Sequence, residues 1–397
     1  MHLHDTRSIM EQLRKNLERH MHKFCLELGS KHCGSPELDK AGNYIAEYFS
    51  SIGLPVFREE FPVRGWTYRD FSLYDVTERR EVPAATACFF SNAVEIEDVP
   101  FWIDWNDLDR LAALDVRGRL CFVAAWNNVD KLGKHVFGNN KLAEILDEKG
   151  AAGAIFISHG HTDLAPSTKI QRSPFLKTLG TAAVAQEGAI YMASHRKNTF
   201  RLHVKAECFD TVAFNVIARV GNGPRRACVG AHYDTAPLVQ GAQDNEGGTA
   251  ILLELARILK DEVPAEWSID FAAFSGEEYI AYDFQMGSGD YVNRHRNENI
   301  LWYLNIDDIG GYFYVPKIYL GHEEKLPPVK YPYCTVEASL AGDDKPFWHA
   351  GVPTVWVSKD CPFHELHTAL DNYSYTDFDR MCEGTTEYAG IFRQLIV

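Results

Sequence analysis

The chain has 397 residues, a length that suggests two domains, or three, at roughly 100–200 residues each. Hydrophobic residues make up 46% and charged residues 24%, so a large core is available without a disulfide framework. The formal charge of −15 argues against nucleic acid and against an anionic membrane surface as partners, because both need clustered Lys and Arg.

The nine cysteines are scattered and form no Cys-x-x-Cys pair. They read as free thiols of a reducing compartment, with Cys25, Cys33, Cys121 and Cys228 as small core residues. The stretch Met1 to Lys15 is polar and lacks the apolar segment of a signal peptide. No apolar run nears the roughly 18 residues of a membrane span. The sequence therefore points to a cytoplasmic protein, unless a leader has been removed.

In chain order, Ile9, Met10, Leu13, Leu17, Met21, Phe24, Cys25 and Leu28 recur at helical spacing. They predict an amphipathic helix over 7–29 that ends at Gly29. A second helix is predicted from about Leu38 to Ile52, with Pro36 before it and Gly53 closing it. A strand is predicted over 54–62. Residues 63–208 then change character, with aromatics, short β-like runs and one clear helix, Lys141–Lys149; an inserted β-rich domain accounts for them. From Thr211 strands and helices alternate. Strands are predicted at Val212–Val220, Ala227–Ala231, Ser268–Phe274, Ile300–Ile306 and Thr354–Val357, and a helix at Gly247–Lys260. This order implies an α/β fold whose mostly parallel sheet is covered by helices on both faces. The two units are then 1–62 plus 209–397 and, between them, 63–208.

The residues that carry chemistry follow Cys228. His232-Tyr233-Asp234 ends an apolar strand, and in extended chain His232 and Asp234 face the same way, which suits a metal-ligating His with a carboxylate to orient it. Alone, this triplet reads more readily as a surface turn. Asp244 lies in Gly241-Ala242-Gln243-Asp244-Asn245-Glu246-Gly247-Gly248 before a helix, where an N-cap is the bland alternative. Glu277-Glu278 follow a buried strand, a costly place for two carboxylates unless they are paired or metal-bound. Asn305-Ile306-Asp307-Asp308 ends another strand, and His364-Glu365-Leu366-His367-Thr368-Ala369-Leu370-Asp371 lies in a late loop. Two His and several carboxylates without Cys suit Zn²⁺. Five ligands with one shared fit two cations about 3.5–4 Å apart.

The strings HYD, GAQDNEGG, SGEE, NIDDIG and HTALD resemble, in order, the signature of the MH-clan dinuclear zinc aminopeptidases across residues 211–375. Residues 63–208 resemble the protease-associated domain inserted in many members, best at Val116-Arg117-Gly118-Arg119-Leu120 and from Lys141 to Ile157. The resemblance implies two Zn²⁺ per chain, with Asp244 bridging both. His232 and Asp307 complete one site; Glu278 and His367 complete the other. It implies Glu277 as general base and Asp234 as the residue that orients His232. The expected activity is hydrolysis of N-terminal residues from peptides, by a water held between the two zinc ions that loses its proton near neutral pH. Other functions on this fold are a single-zinc glutaminyl cyclase, a carboxypeptidase, which would need a basic pocket, and a receptor-like relative that has lost its metals.

The sequence departs from the family at Glu246, where a small residue is usual, at Asp308, and in a longer spacing over Tyr279 to Met286. No ligand is lost. His364-Glu365-Leu366-His367 is one residue short of a zincin motif, so the i,i+4 geometry is absent. His159-Gly160-His161 reads as a polar loop, and Trp102, Trp105 and Trp126 read as core. No Gly-x-Ser-x-Gly elbow or phosphate-binding loop appears, which disfavours serine hydrolase and nucleotide readings.

Overall fold

A computed structural model describes residues 3–104, 111, 113–124, 136–158, 165–279, 286–312, 315–337, 342–360 and 366–397. Trp105, Trp126, His159, His161, His364 and the stretch 280–285 lie outside the described residues.

The principal sheet runs, from one edge, Cys334–Glu337, Val315–Gly321, Thr354–Asp360, Ile300–Ile306, Arg225–His232, Trp267–Phe274, Phe200–Val220, Val56–Asp75 and Arg80–Glu81. Val94–Asp98 pairs with the outer part of Phe200–Val220. Its middle is four neighbouring parallel strands, Thr354–Asp360, Ile300–Ile306, Arg225–His232 and Trp267–Phe274. Antiparallel strands flank them on both sides.

Side chains alternate between the two faces of these strands, and both faces are covered. Ala227, Val229, Ala231, Ile269, Phe271, Ala273, Trp302, Leu304 and Ile306 join the larger core. It includes the helices Leu3–Met21, Pro36–Ser51, Gly247–Leu259 and Phe378–Leu395. Cys228, Ala272, Phe274 and Tyr303 meet Tyr291 and Phe347 on the opposite face, under the helices Gly287–Arg294 and Asp344–His349. Double burial explains why these strands read as near-continuous apolar runs.

The predicted elements recur with shifted ends. The first helix spans Leu3–Met21 and continues in a wider, π-type winding over His22–Leu28 that stops at Gly29, where φ is +69°. The second is Pro36–Ser51; Ser35 caps it by accepting from the Leu38 N–H, and Pro36 occupies the first turn, where its missing N–H costs nothing. The predicted strand 54–62 is part of a much longer one, Val56–Asp75, paired antiparallel with Phe200–Val220 nearly throughout and carrying one irregularity at Tyr68/Asp70. The positions 62/63 and 208/209 fall inside these two strands.

A second sheet, ordered Ala85–Ala87, Gly180–Val184, Gly153–Ile157, Leu120–Val123 and Phe101–Ile103, lies within residues 63–208. It packs on the helix Val136–Glu148 through Leu142, Ala143 and Leu146. The described cysteines Cys25, Cys33, Cys88, Cys121, Cys208, Cys228 and Cys382 are free thiols. Among the described residues no helix is long and apolar enough to cross a membrane.

Candidate metal centre

Parallel strands point their carboxyl ends to one edge, where an open α/β sheet gathers its ligands. His232 is the last residue of Arg225–His232. Glu277 and Glu278 follow Trp267–Phe274 closely, and Asp307 follows Ile300–Ile306 directly. Asp244 lies in the loop between His232 and the helix Gly247–Leu259, and His367 lies in the turn beyond Thr354–Asp360. Four adjacent strands thus bring together residues up to 135 positions apart.

The five residues singled out as ligands converge. Asp244 divides its carboxylate between the two histidines: Oδ1 lies 3.2 Å from His232 Nε2 and Oδ2 lies 2.7 Å from His367 Nε2. His232 Nε2 is also 3.2 Å from Asp307 Oδ1. Glu278 Oε2 is 3.8 Å from His367 Nε2, and Glu277 Oε2 is 3.8 Å from His232 Nε2. Three sets each offer ligand atoms within 4.8 Å of one another: His232, Glu277 and Asp307; Asp244, Glu278 and His367; and Asp244, Asp307 and Asp308. This donor chemistry, imidazole and carboxylate without thiolate, fits Zn²⁺.

A second layer holds these groups in place. Asp234 accepts from the Glu277 and Glu278 backbone N–H groups through its two carboxylate oxygens, at 3.2 and 3.1 Å. His232 Nδ1 lies 3.0 Å from the Asp234 carbonyl oxygen and 3.6 Å from its carboxylate. The sequence pointed Asp234 at His232. In the structure its main chain is the nearer partner of the ring, and its side chain reaches the glutamates. Asp371 does for Asp244 what Asp234 does for Glu277, accepting from the Gln243 and Asp244 N–H groups at 2.9 and 3.2 Å. Asn245 donates to the Ile306 carbonyl at 2.8 Å and accepts from Gly248 N–H at 3.0 Å, tying the loop to the neighbouring strand. A Cβ on Gly248 would stand 2.1 Å from that Asn245 oxygen, so only glycine fits there.

Electrostatics follow from burying so much charge. Burial opposes a charge on His232, but Asp307 and Glu277 outweigh it and raise its pKa. Burial pushes the carboxyls of Glu277 and Glu278 up, the direction a general base needs. For Asp244 burial acts upward as well, yet the two histidines and Lys169 carry it below the usual carboxylate range.

Some residues here escaped the sequence reading. Lys169 and Arg172, from the segment between Gly153–Ile157 and Gly180–Val184 of the second sheet, are both buried. Lys169 Nζ donates to Glu278 Oε2 and lies 3.0 Å from His367 Nε2. Arg172 feels the charges of Glu278, Glu277 and Asp244, and its Nε has no hydrogen-bond partner among the described residues. Asp343 and Asp344 are buried near Asp307, and burial pushes their pKa values up to about 7 and about 8. Glu246, one of the departures from the family, is fully buried 2.7 Å from the equally buried Lys31 ammonium. Lys31 in turn donates to the Phe24 carbonyl, so Glu246 anchors the end of the first helix.

Residues 215–385 match the family model described as Peptidase family M28. The aminopeptidase YwaD of Bacillus subtilis is 30% identical over 175 residues, 38% of this chain and 37% of that protein. An aminopeptidase of Pseudomonas aeruginosa is 30% identical over 184 residues, 42% of this chain and 32% of that protein. The chain therefore spans about a third of the length of the curated relatives it matches. Among solved structures, BSAP, a zinc aminopeptidase from Bacillus subtilis, shares the fold at a TM-score of 0.73 and 18% identity, covering 96% of this chain and 94% of that one. A peptidase M28 precursor from Shewanella amazonensis SB2B does so at 0.74 and 19%, covering 98% and 96%. The family model and the curated relatives thus show a likeness to peptidase family M28 over residues 215–385, less than half of the chain.

Proposed function

We propose that the chain is a zinc-dependent aminopeptidase that removes N-terminal residues from peptides. His232, Asp244 and Asp307 would hold one Zn²⁺, and Asp244, Glu278 and His367 would hold a second. The observation that carries this reading is Asp244, whose two oxygens lie 3.2 and 2.7 Å from two different histidines, so that it would be able to serve both cations. When bound, two zinc ions acidify a water and polarise a carbonyl.

The remaining chemistry belongs to the chain. Glu277, 3.8 Å from His232 Nε2 and held in place by Asp234, takes a proton from the attacking water and delivers it to the leaving amine. Asp234 and Asp371 fix the backbones of Glu277, Glu278 and Asp244, so the constellation is ordered before substrate arrives. The buried carboxylates around the site favour a positively charged substrate end, which selects a free N-terminus. We also propose that residues 63–208 form an inserted unit that shapes one wall of the cleft. In support, Thr168 and Lys169 reach Pro237, Glu278 and His367.

A carboxypeptidase is the second reading, and Lys169 with Arg172 favours it, since these are the basic groups a C-terminal carboxylate needs. The deciding experiment is a panel of aminoacyl anilides beside N-acetylated and C-amidated peptides, with zinc measured per chain. Hydrolysis of free-amine substrates but not N-blocked ones, with zinc near two per chain, is expected. Cleavage that requires a free C-terminus, or no cleavage of either kind, refutes the aminopeptidase.

A further inference from the structure

We propose that the Lys169 ammonium and a cation in the His367 site exclude one another, so that the two metal positions fill in sequence and the second only by displacing Lys169. This rests on the two-cation reading above.

The two sites differ in what already occupies their donor atoms. Glu278 has one oxygen committed: Oε1 accepts from the Ala236 N–H at 2.8 Å. Its other oxygen, Oε2, is the one Lys169 Nζ contacts, and the same Nζ lies 3.0 Å from His367 Nε2. A cation bound by Glu278, His367 and Asp244 needs those same two atoms. Two positive centres cannot share them at coordinating distance, because their repulsion in a buried site is large. In the first site the donors His232 Nε2, Asp244 Oδ1 and Asp307 Oδ1 face each other at 3.2 Å, and no described Lys or Arg lies among them.

Lys169 is not a stray surface chain. It is 6% exposed, and Thr168, the residue before it, is tied down twice. The Thr168 hydroxyl donates to the Pro237 carbonyl at 3.0 Å, and the Thr168 carbonyl accepts from the Phe89 N–H at 2.9 Å. The main chain therefore stays at the site while the flexible four-carbon stem lets the ammonium withdraw. The segment that carries Lys169 thus sets how tightly the second cation binds.

The experiment is a zinc titration of the full chain, stripped with a chelator and followed by competition with a chromophoric chelator. The wild type is expected to take up zinc in two unequal steps, the second at least tenfold weaker than the first. Lys169→Met is expected to tighten the second step at least tenfold and leave the first within threefold. An unchanged or weakened second step in Lys169→Met overturns the proposal. A measurement on the wild type alone guards against a variant that does not fold: reductive methylation of lysines, read by mass spectrometry between zero and two equivalents of zinc. Lys169 labelling should rise with the second equivalent; constant labelling overturns the proposal. If the wild type takes up no zinc at all, the two-cation reading itself fails, an outcome distinct from two bound zinc ions indifferent to Lys169.

Discussion

Asp234→Asn separates two ways in which one residue can serve the site. In the wild type both carboxylate oxygens accept from backbone N–H groups, those of Glu277 and Glu278, at 3.2 and 3.1 Å. A hydrogen bond to a charged group contributes about 1.5–3 kcal/mol, and a buried N–H left without an acceptor costs about 1–3 kcal/mol. Asn keeps one acceptor and turns an NH₂ toward the other N–H, so one bond is lost and two donors meet. With part of the strain relaxed by a shift of the Glu277-Glu278 backbone, about 2–4 kcal/mol falls on the placement of the base. At about 1.4 kcal/mol per tenfold, kcat should drop ~30- to 1000-fold. Zinc affinity should change little, because His232 Nδ1 is held by the Asp234 carbonyl oxygen at 3.0 Å, which Asn retains. The assay is kcat and KM on an aminoacyl anilide at saturating zinc, with a chelator competition alongside. A variant that regains wild-type kcat at high zinc refutes this reasoning and shows that the carboxylate acts through His232.

Glu277→Gln should keep its zinc and lose activity by about 10²- to 10⁴-fold, the usual contribution of a positioned base; metal analysis with turnover on one sample checks both halves. Asp371→Ala releases the N–H groups of Gln243 and Asp244, and loss of such a supporting group typically weakens metal binding about 10- to 100-fold, which chelator competition measures. Glu254 knits three helices, accepting from Asn16, Tyr48 and Arg257. Burial acts to raise its carboxyl pKa, but the nearby His20 ring and the hydrogen bonds from Arg257, Tyr48 and Asn16 outweigh it and hold the value at about 2. A folded value below the unfolded one stabilises the fold above about pH 4.5, and that stability is lost as pH falls toward 2. Glu254→Gln should therefore cost about 3 kcal/mol at pH 7 and less at pH 3; urea unfolding at both pH values reads the difference, and an equal gap at both contradicts it.

The site was legible in the sequence where chemistry and local geometry coincide. His232, Glu278 and Asp307 stand at or just past the ends of buried strands, and apolar runs closing on a charged residue are visible without any tertiary information. Asp244 and His367 lie in loops, so only their neighbours in the motif marked them. Residues that act across the fold left no such trace. Asp371 supports Asp244 from 127 positions away, and nothing in Thr368-Ala369-Leu370-Asp371 tells a backbone clamp from a turn residue. Glu246 is a comparable case: its place beside Asp244 in sequence does not disclose that Lys31, over 200 positions earlier, is its buried partner. Lys169 is the extreme case. Nothing in Ser167-Thr168-Lys169-Ile170 marks it, because what makes the residue special is where the loop between Gly153–Ile157 and Gly180–Val184 docks. That docking depends on Thr168 meeting Pro237, a contact between two loops with no periodicity to betray it. Strand ends can be counted along a chain; an ammonium delivered from a second sheet becomes visible only once the two sheets are packed.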